Sequence, residues 1–212
     1  MTQITQRILN EIVGHEGVVL ETYKDSVGFK TWGVGIAETS GFNVEQYIGN
    51  PQSIKTIMSV FREYLETKYL PDVLGTFETI DLSEAQLGAA LSFHWSTGGI
   101  RKAQWAKDFK AGKMTEARKN FMNWKKPPEI IPRREKERDL FFHGKWSNDG
   151  FATEWAVKGN MQIDWTSGRR IALPRAGRVL RPKKHQDRAT APVSGGFRAQ
   201  ILAILASIFK RK

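Results

Sequence analysis

The sequence predicts an α+β protein: an N-terminal helix and a small β-hairpin lobe, a mainly helical lobe, and a basic C-terminal extension ending in an amphipathic helix. Three observations carry this. Apolar residues over 4–13 recur at helical spacing, residues 22–35 interleave β-prone residues with glycines, and helical periodicity returns from residue 50 onward. A chain of 212 residues is long enough for one sizeable core. With no cysteine, it can have no disulfide, thiol nucleophile or Cys-based zinc site, so stability must come from burial.

Ile4, Ile8 and Ile12, joined by Leu9 and Val13, mark one face of the first helix, which Gly14 and Gly17 are expected to close. In TYKDSVGFKTWGVG, Val27-Gly28 supplies a turn between two β-prone pieces, and Gly33 and Gly35 permit tight backbone paths. Asn50-Pro51 is a start signal for a long amphipathic helix carrying Ile54, Ile57, Met58, Phe61, Leu65 and Tyr69, with Pro71 as its expected stop. Ser83 with Gln86 forms a capping box for a helix running toward Phe93 and Trp95. Further helices are predicted near 101–111, 115–125 and 133–143, the last ending at Gly144. The pieces ATEWAV, MQIDW and RRIAL within 151–173 are β-prone and read either as a small meander packed on the domain or as a loose extension.

The formal charge of +11 is unevenly spread. Residues 1–146 hold 20 Lys+Arg against 18 Asp+Glu, whereas residues 147–212 hold 13 against 4. A polyanionic partner inferred from that excess therefore belongs to the last third of the chain. The division expected is a domain over 1–146, a β-prone extension over 147–173, a basic flexible linker over 174–196 and a cationic helix over 197–212. The N-terminal stretch lacks the apolar run of a signal peptide, and no stretch reaches the roughly 20 apolar residues of a bilayer span.

One further helical step along Ile4, Ile8 and Ile12 lands on Glu16, which puts a carboxyl in line with the buried face at the helix exit. Burial disfavours the charged form of a carboxyl, which suits a general acid. Asp25 stands nine residues later at the hairpin, between Lys24 and Ser26, in a more polar setting, and Thr31 on the next strand is placed to hold a water with it. Two carboxyls in contrasting environments are the equipment of glycoside hydrolysis. From spacing alone a blander reading stands beside this one: Glu16 caps the helix end and Asp25 is an ordinary turn residue.

The pattern Glu16, eight residues, Asp25, five residues, Thr31, set among Gly17, Tyr23-Lys24-Asp25, Gly28 and Thr31-Trp32-Gly33-Val34-Gly35, resembles the catalytic segment of phage-type lysozymes, glycoside hydrolase family 24. LSEAQLGAALSF resembles that family's helix leading to its groove motif. PRREKERDLFFHGKW, with Arg133, Arg134, Glu137, Leu140, Gly144 and Trp146, is similar to its closing helix; together the blocks span roughly residues 4–146. The resemblance implies a lysozyme-like fold and muramidase activity on the β-1,4 bond from N-acetylmuramic acid to N-acetylglucosamine. It also implies Glu16 as general acid, and Asp25 with Thr31 aligning the attacking water in an inverting displacement. It places Phe93, His94 and Arg133 at the substrate groove, although His94, Trp95, Arg133 and Arg134 all also admit a packing or structural role. Two departures stand out: Ile36 occupies the position of the family's frequent histidine, and Phe93-His94-Trp95-Ser96-Thr97-Gly98-Gly99 replaces the usual Phe-Asn-x-Gly.

In GGFRAQILAILASIFKRK, Phe197, Ile201, Ile204, Leu205, Ile208 and Phe209 share one helical face, closed by Lys210, Arg211 and Lys212. This is the pattern of a helix lying in a membrane interface, the reading preferred over one in which it docks on the catalytic domain or a partner. The functional expectation is an endolysin that accumulates in the host bacterial cytoplasm and reaches the periplasm and cell wall at lysis. Its partners would be peptidoglycan and, through the tail, anionic membrane or lipopolysaccharide. No nucleic-acid partner, cofactor or metal is expected, and the expected state is a monomer. A virion-associated lysozyme, or a non-catalytic wall-binding or membrane-active protein on the same scaffold, are the alternatives.

Overall fold

A computed structural model describes residues 3–175. The predicted class holds: an N-terminal helix and a small sheet precede a helical lobe. The first helix, α1 (Gln6–Glu16), is capped by Thr5, whose hydroxyl accepts from the Ile8 amide at 3.2 Å, and it buries Ile8, Leu9, Ile12 and Val13. It runs through Gly14 and stops at Gly17, where φ of 73° admits glycine far more readily than any other residue. Glu16 is therefore its last residue.

Strands β1 (Val18–Lys24), β2 (Lys30–Gly33) and β3 (Ile36–Ala37) form the expected hairpin and a short third strand, with Tyr23 opposite Thr31 and Thr31 opposite Ala37. Five helices of the second lobe come next: α2 (Ile54–Lys68), α3 (Leu70–Thr76), α4 (Glu84–Thr97), α5 (Gln104–Lys110) and α6 (Met114–Phe121). The last, α7 (Ile131–His143), ends at Gly144 with φ of 65°. Two helix signals are corrected here. Ser53, not Asn50, caps α2, and Pro71 sits in the first turn of α3, where a missing N–H costs nothing, rather than stopping the chain. The Ser83/Gln86 capping box is present with both reciprocal bonds, and α4 is buried on every side from Leu87 to Ser96, as a helix at the centre of a lobe must be.

The β-prone segment beyond residue 146 forms two more strands, β4 (Phe151–Val157) and β5 (Ile163–Ala172), and they belong to the same sheet, in the order β3-β2-β1-β4-β5. β4 lies parallel to β1, with Val18 opposite Glu154 and Val19 opposite Trp155. Helix α1 grips both ends of this second hairpin. Asn10 donates to the Pro174 carbonyl at 3.0 Å, and Glu11, only 1% exposed, accepts from the Ser147 amide at 3.1 Å, the Ser147 hydroxyl at 2.5 Å and the Asn148 amide at 2.9 Å. Burial alone would raise the Glu11 pKa, but the bonds from His15, Ser147 and Asn148 outweigh it and bring it down to about 2. No helix among the described residues is long and apolar enough to cross a membrane. Most of the linker expected over 174–196 and all of the helix expected over 197–212 lie outside the described residues.

Candidate active site

Glu16 leaves the end of α1 at the seam between the sheet and the helical lobe. Its side chain is 7% exposed and receives the Arg133 Nη1 at 2.5 Å. Arg133 reaches it from α7, directing Nε to Glu137 at 2.8 Å and Nη2 to the Ser92 carbonyl and hydroxyl at 3.3 and 3.2 Å. Glu137 is in turn bonded by Arg134 and by the Ser92 hydroxyl at 2.6 Å, and Arg134 is pinned to Ser96 at 2.9 Å and to the Trp124 carbonyl at 3.1 Å. Burial works against the charge on Arg133, yet Glu16 and Glu137 outweigh it and hold the guanidinium above its ordinary range. Burial likewise opposes ionised Glu137, and Arg134 and Arg133 overcome it. A fully bonded fork of this kind fixes where the Glu16 carboxyl sits.

Asp25 opens the turn between β1 and β2. Its Oδ1 accepts from the Val27 amide at 3.0 Å and the Phe29 amide at 2.9 Å, while its own amide donates to the Phe29 carbonyl at 2.9 Å. Thr31 is enclosed in the sheet, and its hydroxyl donates to that same carbonyl at 3.4 Å, the far limit of a hydrogen bond. Tyr23 stands between the two carboxyls: burial first, then the charges of Glu16 and Asp25, push its hydroxyl above the usual phenol range.

Two adjoining spaces meet here. One, of about 20 Å³, lies beside Glu16 and is lined by Gly17, Val34, Trp155 and Trp165 among others; it has room for roughly one water. The other, of about 640 Å³, lies beside Asp25 and is lined by Lys24, Val27, Lys158 and Gln162 among others. Tyr23, Ile163 and Trp165 line both. Trp155, Ile163 and Trp165 were not singled out from the sequence as site residues. Their signal was the strand pattern of ATEWAV and MQIDW, which says nothing of which edge those strands join.

The groove residues expected on α4 are a correction. Phe93 is wholly buried among Trp105, Phe121 and Trp124, with Arg134 over its ring at 4.6 Å, and it presents no surface to a glycan. His94, 4% exposed, has its Nε2 3.2 Å from Asp72 and packs edge-on against Tyr69; burial pulls its pKa below the usual histidine value in spite of Asp72. Arg133 touches Glu16 and acts as a positioning residue. Trp95 packs against Phe61 and Tyr69, and Ile36 is buried in the core. Among the described residues no three His, Asp or Glu side chains come together as metal ligands.

Comparison with known proteins finds a family and solved structures that the chain resembles. The family model described as phage lysozyme matches residues 13–137. A mutant of P22 lysozyme has 25% sequence identity and a TM-score of 0.57, covering 66% of this chain and 99% of its own. The endolysin from Escherichia coli O157:H7 phage FAHEc1 has 20% identity and a TM-score of 0.53, covering 68% of this chain and 96% of its own. The muramidase domain of SpmX from Asticaccaulis excentricus has 20% identity and a TM-score of 0.53, covering 66% and 97%. No curated protein sequence matches the chain.

Proposed function

Because the chain belongs to the phage lysozyme family and is a lysozyme hydrolase with peptidoglycan as its substrate, we propose that it is an endolysin that cleaves the β-1,4 bond from N-acetylmuramic acid to N-acetylglucosamine. The observation that carries this reading is the buried Glu16 held by Arg133 at 2.5 Å, in a space that shares the Tyr23, Ile163 and Trp165 wall with Asp25.

In this scheme Glu16 protonates the glycosidic oxygen as the bond to the sugar breaks. The carboxylate left behind meets the Arg133 guanidinium, so no uncompensated charge develops in a buried place. Asp25, its orientation fixed by two amides on Oδ1, steers a water to the opposite face of the ring and faces the positive charge of the oxocarbenium-like transition state. For Thr31, wholly buried in the sheet, to share in holding that water, its hydroxyl must turn out of the long bond to the Phe29 carbonyl toward the Asp25 side. The outcome is inversion at the sugar carbon. The enzyme would gather in the host cytoplasm and meet the wall at lysis. The tail would deliver it: the apolar face of Phe197, Ile201, Ile204, Leu205, Ile208 and Phe209, with Lys210, Arg211 and Lys212, is suited to an anionic membrane surface.

The test is turbidity clearing of purified peptidoglycan by the wild type beside Glu16→Gln. The variant should clear about a hundredfold more slowly or worse, with its circular dichroism unchanged. Equal clearing would overturn the assignment of Glu16.

A further inference from the structure

The family match ends at residue 137, yet the β4–β5 hairpin, well beyond it, reaches the site. Trp155 and Trp165 stand edge to face with centroids 5.6 Å apart. The register between β4 and β5 slips between Glu154 and Ala156, the kind of irregularity that re-aims a side chain next to a site. Trp155 there lies so close over Gly17 that a Cβ on that glycine would fall 2.1 Å from its ring. The hairpin tip is fixed too: the Lys24 amide, next to Asp25, donates to the Met161 carbonyl at 2.7 Å, and Met161 holds φ of 64°, an uncommon conformation outside glycine. Anchored at tip and base, the hairpin brings Lys158, Gln162, Ile163 and Trp165 to the Asp25 space, which they line together with residues 23–28 of β1 and its turn. Tyr23, Val27, Ile163 and Trp165 supply the apolar part of that lining, and Lys24 and Lys158 carry ammonium groups. Among the described residues Lys158 pairs only with Asp164, at 3.8 Å, a contact weak enough to yield to another anion.

We propose that the β4–β5 hairpin is a substrate-binding wall. Trp165, with Ile163 and Tyr23, receives the apolar face of a sugar ring on the Asp25 side, and Lys24 and Lys158 meet the carboxylate-bearing arm of an N-acetylmuramyl unit. The space is of a size that holds a small ligand. An unsubstituted N-acetylglucosamine oligomer offers the same sugar faces and no carboxylate, so the lysines distinguish the two glycans. This inference rests on the muramidase reading with Glu16 as the acid.

Initial rates on soluble, uncrosslinked peptidoglycan strands test it, with chitotetraose as competing ligand. Trp165→Ala should raise KM about tenfold with kcat within about threefold of wild type, and Trp165→Phe should restore most of the KM. The double variant Lys24→Ala/Lys158→Ala, altered only at exposed side chains, should raise KM for the strands several-fold while leaving inhibition by chitotetraose as it was. An unchanged KM in Trp165→Ala would overturn the proposal. So would a raised kcat in that variant, which would make the hairpin a barrier, or a double variant with wild-type KM. A wild type that does not turn over the strands at all would instead refute the underlying muramidase reading. Should Trp165→Ala fail to fold, the lysine pair decides.

Discussion

Replacing Glu11 by Gln should destabilise the protein strongly at neutral pH and hardly at all in strong acid. The folded-state pKa of Glu11 is about 2 against an ordinary 4.5, a difference worth about 3 kcal/mol. Since the folded value is the lower one, the unfolded chain takes up the proton first as pH falls. The stabilisation is whole above about pH 4.5, about 2 kcal/mol of it is gone by pH 3, and almost none survives near pH 2. Glutamine keeps one acceptor for the Ser147 and Asn148 amides but turns an NH2 toward donors that need an oxygen. Urea unfolding of both proteins at pH 7 and pH 3 measures the effect, because the other titrating groups are common to both and cancel. The gap should be about 3 kcal/mol at pH 7 and about 1 kcal/mol at pH 3. A gap of the same size at both pH values would refute the reasoning, since the latch would then not depend on ionised Glu11.

Gly17→Ala should lower stability by about 2 kcal/mol and disturb tryptophan fluorescence, because its methyl would meet the Trp155 ring at 2.1 Å and the Thr153 carbonyl at 2.9 Å at a φ of 73°; a thermal scan indistinguishable from wild type would contradict this. Arg133→Ala strands Glu137 and Glu16 without a shared cation and should lose about 3 to 5 kcal/mol in urea melts. Arg133→Lys keeps the charge but not the fork, so it should melt nearer to wild type and still clear peptidoglycan more slowly. Removing residues 197–212 should abolish co-sedimentation with anionic vesicles and spare clearing of purified peptidoglycan; unchanged vesicle binding would count against a membrane role for the tail.

The features legible in the sequence were local. The Ser83/Gln86 box, the exit of α1 at Glu16 and the turn at Asp25 each depend on residues a few positions apart, where spacing and side-chain chemistry decide the outcome. Phe93 and His94 were misjudged because their surroundings come from Trp105, Phe121, Trp124, Tyr69 and Asp72, brought together only by packing of the helical lobe. Pro71 shows the same limit on a smaller scale, since a proline ends a helix or begins one according to whether the residues after it take up a helical path. The strand character of residues 151–172 was visible as β-prone pieces, but their parallel pairing with β1 was not, because no short-range pattern encodes which sheet edge a distant strand will meet.

That pairing sets an order of events during synthesis. β1 emerges from the ribosome before the helical lobe, and its partner β4 only after the whole of that lobe has been made. Until then one edge of β1 has no strand beside it, a template for pairing with a neighbouring chain, and contacts so far apart in sequence form slowly. A nascent or truncated chain that stops near residue 146 would carry Glu16 and Asp25 but keep that edge bare and lack Trp155 and Trp165. The cleft is thus finished last, and self-association is the hazard of the interval before it closes.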